Sequence, residues 1–219
     1  PKHSANATEA SNPSLCRYSC ILEPSKTTSE FGIYDGAKRY GKKYDKFKEE
    51  NPGKQILTEI EGARAEWMIE KFAKHPIAPN LIAKGEAEQT LCVELDGIKI
   101  KVRADYVTEN SIHDIKTTYS GLDRENILTT ILKYNYDLSA ALYVDAFEKW
   151  TGNDYVFNFI FMNKKDGSIE VYRASEELLA NGRRKYKKAI KNLTRARKSG
   201  IYYEEGIQEI TIPPYLEFE

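Results

Sequence analysis

The chain has 219 residues and a mass of 25.1 kDa, a length that fits one domain, or one domain with an extension, and leaves ample chain for a core. Hydrophobic residues make up 41% of it and charged residues 30%, which excludes disorder throughout, because that much apolar surface can offset chain entropy. Its 33 Lys plus Arg balance 33 Asp plus Glu, so the simplest signature of a polyanion partner, a strongly basic whole chain, is absent, although the balance does not say where the charges sit.

Residues 1–30 are rich in Ser, Thr, Asn, Ala and Pro and read as an irregular arm, interrupted by the apolar Cys20-Ile21-Leu22. Residues 31–219 read as a single domain. Cys16, Cys20 and Cys92 are too few and too scattered for a disulfide framework, and Cys16 and Cys20 lack a second Cys/His pair at zinc spacing. A reducing, cytoplasmic setting is expected. No apolar run approaches the roughly 18–20 residues that span a bilayer, so no membrane association is expected.

Residues 34–53 interleave Lys38, Arg39, Lys42, Lys43, Lys46 and Lys48 with Tyr34, Tyr40, Tyr44 and Phe47, and predict a short helix closed by Asn51-Pro52-Gly53. Thr58 and Glu61 have capping-box spacing, while Ile60, Ala63, Trp67, Met68 and Phe72 recur at helical intervals, which predicts a helix over 58–75 ended near His75-Pro76. Residues 90–95, the Asp96-Gly97 turn signal and residues 98–107 predict a hairpin, with Ile98, Ile100, Val102, Ala104 and Tyr106 alternating with Lys99, Lys101, Arg103 and Asp105. A polar turn at 108–110 leads into a third strand over 111–116.

Ile127, Ile131, Leu138, Leu142, Ala146 and Trp150 keep a helical stripe, which predicts one helix over 124–150, the longest and most buried of the chain. The nearly continuous apolar run 155–162 predicts a central strand covered on both faces, and 168–173 adds another strand. Ser175, followed by Glu176 and Glu177, opens a helix reaching to about residue 198. Trp67, Trp150, Phe157, Phe159 and Phe161 read as packing residues. The order of elements predicts an α/β domain with a mixed central sheet flanked by helices.

The chemistry concentrates on two of the predicted strands. Asp105 lies near the end of one, and Asp114-Ile115-Lys116 lies on the next after a short turn. Residues two apart on a strand share a face, so Asp114 and Lys116 point one way and Ile115 the other. Antiparallel pairing across the turn brings Asp105 beside Asp114. Two adjacent carboxylates repel unless a cation joins them, and hard oxygen donors favour Mg²⁺ or Mn²⁺.

Asp105 followed by Asp114-x-Lys116 resembles the PD-(D/E)XK nuclease signature, and the order of elements resembles the αβββαβ core of that superfamily. KVRADYVTENSIHDIKTTYSG and ILKYNYDLSAALYVDAF, together with GKQILTE, AKHPIAPNLIAKGEAEQT and the closing TIPPY, resemble the RecE-like, phage-type exonucleases over roughly residues 50–215. That resemblance implies that Asp105 and Asp114 are metal ligands, that the Ile115 carbonyl is a further one, and that Lys116 orients or deprotonates the attacking water. Glu88, before the first strand of the hairpin, takes the family's Glu position, with Glu86 as its rival. Tyr136, Ser139 and Tyr143 occupy the Y-x-x-Q-x-x-x-Y positions on one helix face, with Ser139 in place of the usual Gln. Upstream, Tyr18 stands near the position of a family His.

Arg103 has two readings, an ion pair to the site carboxylates or a contact to DNA phosphate. Thr117 and Thr118 have two as well, substrate phosphate or strand-end bonding. His113 is expected on the opposite sheet face from Asp114. The basic residues at 183–198 read either as a solvated helix face or as phosphate contacts. The resemblance implies a Mg²⁺-dependent DNA exonuclease that resects linear duplex ends 5′ to 3′, a single-strand annealing partner and a ring-shaped homo-oligomer. A structure-specific or restriction-like endonuclease with the same metal site and a catalytically silent DNA-binding module are the competing expectations.

Overall fold

A computed structural model describes residues 21–22, 27–36 and 38–202. The helical turn α1 (Thr27–Glu30) leads into β1 (Phe31–Tyr34), α2 (Lys42–Glu50), β2 (Gln55–Thr58), α3 (Glu59–Ala73) and the short α4 (Ala78–Leu81). Then come β3 (Glu86–Leu95), β4 (Ile98–Val107), β5 (Ser111–Thr118), α5 (Arg124–Lys133), α6 (Tyr136–Thr151), β6 (Val156–Asn163), β7 (Ile169–Arg173) and α7 (Glu176–Ser199). Strands β3 to β7 form one mixed sheet in sequence order, with β5 and β6 parallel and the other pairs antiparallel. Strands β1 and β2 form a separate parallel pair.

The two faces of β6 sort the core. Phe157, Phe159 and Phe161 pack with Ala140, Val144, Leu179 and Ile190 beneath α5, α6 and α7. Ile160 and Met162 pack on the opposite face with Ile115, Met68 and Phe72 of α3. β6 is therefore covered on both sides, as its apolar run predicts. The tip of the β3–β4 hairpin places Asp96 and Gly97 at φ 48° and 76°, which a tight two-residue hairpin turn requires.

Of residues 1–30, the described 21–22 and 27–30 are helical, and Ile21 and Leu22 are buried beside α3. Several expectations for the later elements are corrected. Cys16, Tyr18, Cys20, Glu23, Pro24 and the TIPPY segment lie outside the described residues. The α3 face is rotated from the predicted one: Gly62, Ala65, Met68 and Phe72 are buried, while Ile60 is 81% exposed and Ala63 is exposed. Trp150 is also exposed, with its ring edge-to-face against Phe147. The segment 124–150 is two helices, because Asn135 adopts a left-handed conformation at φ 54°, which Asn tolerates better than most residues. The longest helix is α7, with 24 residues. Strands β1 and β2 have four residues each, too few to show a period.

The capping box at the start of α3 is present. Thr58 Oγ1 accepts from the Glu61 N–H at 3.3 Å, and the Thr58 N–H donates to Glu61 Oε2 at 2.9 Å. Thr58→Ala is expected to lower stability by about 1 kcal/mol, read as a shift in the urea unfolding midpoint.

Candidate active site

The geometry begins where β4 and β5 part. Their ladder holds only at Tyr106↔His113 and Val107↔Ile112. Beyond it, the Asp105 side chain takes the place of a ladder bond, with Oδ2 accepting from the Ile115 N–H at 3.0 Å. A strand residue's N–H and C=O project to the same edge, so the Ile115 carbonyl also faces this opening. Ile112 and Ile115 pack in opposite core layers, and alternation puts Asp114 and Lys116 on the Ile112 side. Lys116 Nζ donates to Asp114 Oδ1 at 2.6 Å, with the two side chains 23% and 10% exposed. Burial pushes the Asp114 carboxyl up to about 7; Lys116 opposes that rise and Asp105 adds to it.

Strand β3 starts at Glu86, earlier than expected, so Glu88 lies inside the strand and not before it. Ala87↔Tyr106 and Gln89↔Ala104 bracket Glu88 and Asp105, which places these two opposite each other. Glu88 has φ 56°, a left-handed conformation seldom taken by a residue other than Gly within a strand. The alternation changes phase here: Val102, Ala104 and Val107 pack in one layer, but Tyr106 packs in the other. The phase change separates Arg103 from Asp105, which uninterrupted alternation places on one face. Arg103 instead ion-pairs with Glu88. Glu86 is exposed opposite Val107.

Helix α6 lies over the pair. Lys116 Nζ sits 5.1 Å from the centroid of the Tyr136 ring. The Tyr143 phenol is raised by burial, then by the nearby Asp114 and Asp105. Ser139 is half-buried on the same helix, between the two tyrosines by spacing. Thr117 and Thr118 extend β5 alongside Met162 and Asn163 of β6, and Thr118 Oγ1 accepts from the Ser120 N–H at 3.0 Å. His113 is buried on the opposite face, with Nε2 2.9 Å from Ser111 Oγ and Nδ1 3.4 Å from Asn158 Nδ2.

One group escaped the sequence reading. Asp137, in the first turn of α6, is fully buried. It accepts from Lys185 Nζ at 2.8 Å and from Asn181 Nδ2 at 2.6 Å, both on α7. This anchor fixes the helix end that carries Tyr136. The signal available in the sequence was an acid inside an apolar helical stripe.

Among the described residues, no three His, Cys, Asp or Glu side chains gather closely enough to hold a metal by themselves. The donors present still suit a hard divalent ion, because Mg²⁺ keeps several waters and commonly takes only one or two protein carboxylates. Asp105, Asp114 and the Ile115 carbonyl offer oxygen alone, and a cation between the carboxylates relieves the repulsion that burial sharpens.

His113 and Asp114 titrate with opposite effects on stability. His113 is lowered to about 4 by burial, so from there to about 6.5 the unfolded chain binds a proton that the fold does not, and stability rises with pH. Asp114 does the reverse. From about 4 up to about 7 the fold keeps a proton that the unfolded chain has lost, so stability falls with pH. Without divalent ions the two slopes oppose between about pH 4 and 6.5, whereas Asp114→Asn leaves the rising one. Urea midpoints at about pH 4.5 and 6.5 check this: parallel behaviour of wild type and variant would refute it.

The same architecture occurs in a crystal structure described as a "putative exonuclease" from Eubacterium rectale, with a TM-score of 0.63 and 17% identity over 88% of this chain and 70% of that one. A structure of SSO0001 gives a TM-score of only 0.32, at 15% identity over 56% of this chain and 58% of that one, and carries no argument. No curated protein matches the sequence. The family model described as "PDDEXK-like domain of unknown function (DUF3799)" matches residues 17–202. With the mixed sheet and its paired aspartates in place, the chain belongs to this family of PDDEXK-like domains.

Proposed function

We propose that this protein is a divalent-cation-dependent DNA exonuclease that works on linear duplex ends. The observation that carries the reading is the convergence of Asp105, Asp114 and Lys116 where β4 and β5 part, within a PDDEXK-like domain. Mg²⁺ is the ion proposed, with Mn²⁺ as a substitute. Once bound, such an ion supplies positive charge to the phosphate and acidity to a water.

The chain's own groups do the rest. Asp105 and Asp114, with the Ile115 carbonyl, hold the cation, and Glu88, opposite Asp105 across the β3–β4 ladder, joins them on releasing Arg103. Lys116, fixed between Asp114 and the Tyr136 ring, orients the attacking water and stabilises the charge that develops on the phosphoryl oxygens. Tyr136, Ser139 and Tyr143 line the helix side, where substrate contacts are proposed. Thr117 and Thr118 are proposed to meet phosphate at the end of β5. Arg103 holds Glu88 and is positioned to exchange that partner for phosphate.

By resemblance to RecE-like exonucleases, the proposal extends to 5′ to 3′ resection, a single-strand annealing protein as recipient of the product, and a ring-shaped homo-oligomer. The exonuclease reading is tested by comparing end-labelled linear duplex with covalently closed circular DNA in Mg²⁺. Degradation of the linear form alone is expected; nicking of closed circles would make the protein an endonuclease instead.

A further inference from the structure

The zero net charge of the chain conceals one strongly polarised element. Residues 178–199 of α7 carry nine of the 33 Lys and Arg residues and no Asp or Glu. Arg183 pairs with Asp145 and Glu176, and Lys185 pairs with the buried Asp137. Arg184, Lys187, Lys188, Lys191, Arg195 and Lys198 are exposed, and none has an ion-pair partner among the described residues.

These six fall on one stripe. At 3.6 residues per turn they occupy an arc of about 100°, nearly opposite the buried face, over roughly 21 Å of helix. The buried face is made by Leu179, Gly182, Tyr186 and Ile190. Lys187, Lys191, Arg195 and Lys198 also line an open groove of about 620 Å³ against Asp96 at the β3–β4 tip. The stripe begins beside Asn181 and Lys185, the residues that hold the end of α6 carrying Tyr136, so it leads away from the candidate active site. A row of like charges on a helix is self-repulsive, and a polyanion of matching linear charge relieves that repulsion. One DNA strand presents a phosphate about every 3.4 Å of axis, or about six over the length of the stripe.

We propose that the α7 stripe docks the phosphate backbone of duplex DNA outside the scissile site. This rests on the nuclease reading for its choice of polyanion. It assigns α7 a role in holding DNA, separate from hydrolysis.

The test is fluorescence anisotropy of a labelled linear duplex, titrated with wild type and with Lys191→Gln/Arg195→Gln/Lys198→Gln at several salt concentrations in EDTA. Each lost phosphate contact lowers the slope of log K against log salt by about 0.9, so the triple variant should lose about two to three in slope. Lys42→Gln/Lys46→Gln/Lys48→Gln, on the exposed α2, should keep the wild-type slope. An unchanged slope in the α7 variant, or no duplex binding by wild type, would overturn the proposal and leave the stripe to another occupant such as an acidic peptide. Hydrolysis is assayed separately in Mg²⁺. Stripe-dependent binding without hydrolysis would remove the nuclease reading alone, and hydrolysis with an unchanged slope would remove the docking surface alone.

Discussion

Lys116→Ala is expected to slow hydrolysis of linear duplex about 10³-fold, as is typical when a positioned charge or proton-handling group is removed from a polar site. Asp114→Asn is expected to fall at least as far. The two differ in stability. Asp114→Asn removes a buried carboxylate whose ionisation is opposed by burial and by Asp105, so its urea midpoint should match or exceed that of wild type. Lys116→Ala removes the ammonium that offsets those effects and should lower the midpoint at neutral pH. Activity lost without stability lost, in Asp114→Asn, separates a catalytic role from a structural one. If Asp114→Asn unfolds at wild-type activity per folded molecule, the carboxylate serves the fold instead.

Gly182→Ala is expected to cost about 3 kcal/mol, near the upper end for an overpacked core. A Cβ at this position would lie 2.0 Å from the Asp137 carbonyl oxygen and 2.9 Å from Ala141 Cβ. The nearest obstacle is helix backbone, which cannot rotate away, so α6 and α7 must separate. Separation also loosens the bonds from Lys185 and Asn181 to Asp137, and through them the seat of Tyr136. Urea unfolding followed by far-ultraviolet circular dichroism measures the loss; a midpoint within 0.5 kcal/mol of wild type, about the ordinary range for surface changes, would show that the two helices have room to part.

The hairpin and the Asp114-Ile115-Lys116 face were legible because both depend on local rules, a turn signal and a two-residue period. The parting of β4 and β5 was not legible. It depends on the Asp105 side chain taking over a backbone bond to Ile115, which no period encodes. Glu88 was placed ahead of its strand because its left-handed backbone interrupts β3, and the associated phase change also moved Arg103 away from Asp105. The break at Asn135 hid inside an apolar stripe that continues on both sides, as Ile127 and Ile131 of α5 pack in the same layer as Ala140 and Val144 of α6. Ile60 and Trp150 fit the helical spacing yet face outward, since spacing names a face without saying what covers it. Asp137 is the reverse case: a charged residue on the buried side, made tolerable by partners 44 and 48 residues away.

The local departures cluster around the paired aspartates. Asp105 leaves the strand alternation, Glu88 takes an uncommon backbone conformation and Asp114 is a carboxylate buried against its own ionisation. Such costs gather where a fold holds a reactive arrangement in place.

The most direct measurement of this account is nucleotide release from end-labelled linear duplex by wild type and Asp114→Asn, each with Mg²⁺, with EDTA, and with Mn²⁺ restored after EDTA. Wild type is expected to release nucleotide with either ion and none in EDTA, and the variant about 10³-fold less than wild type with either ion. Equal release by wild type and Asp114→Asn, or undiminished release in EDTA, would contradict it.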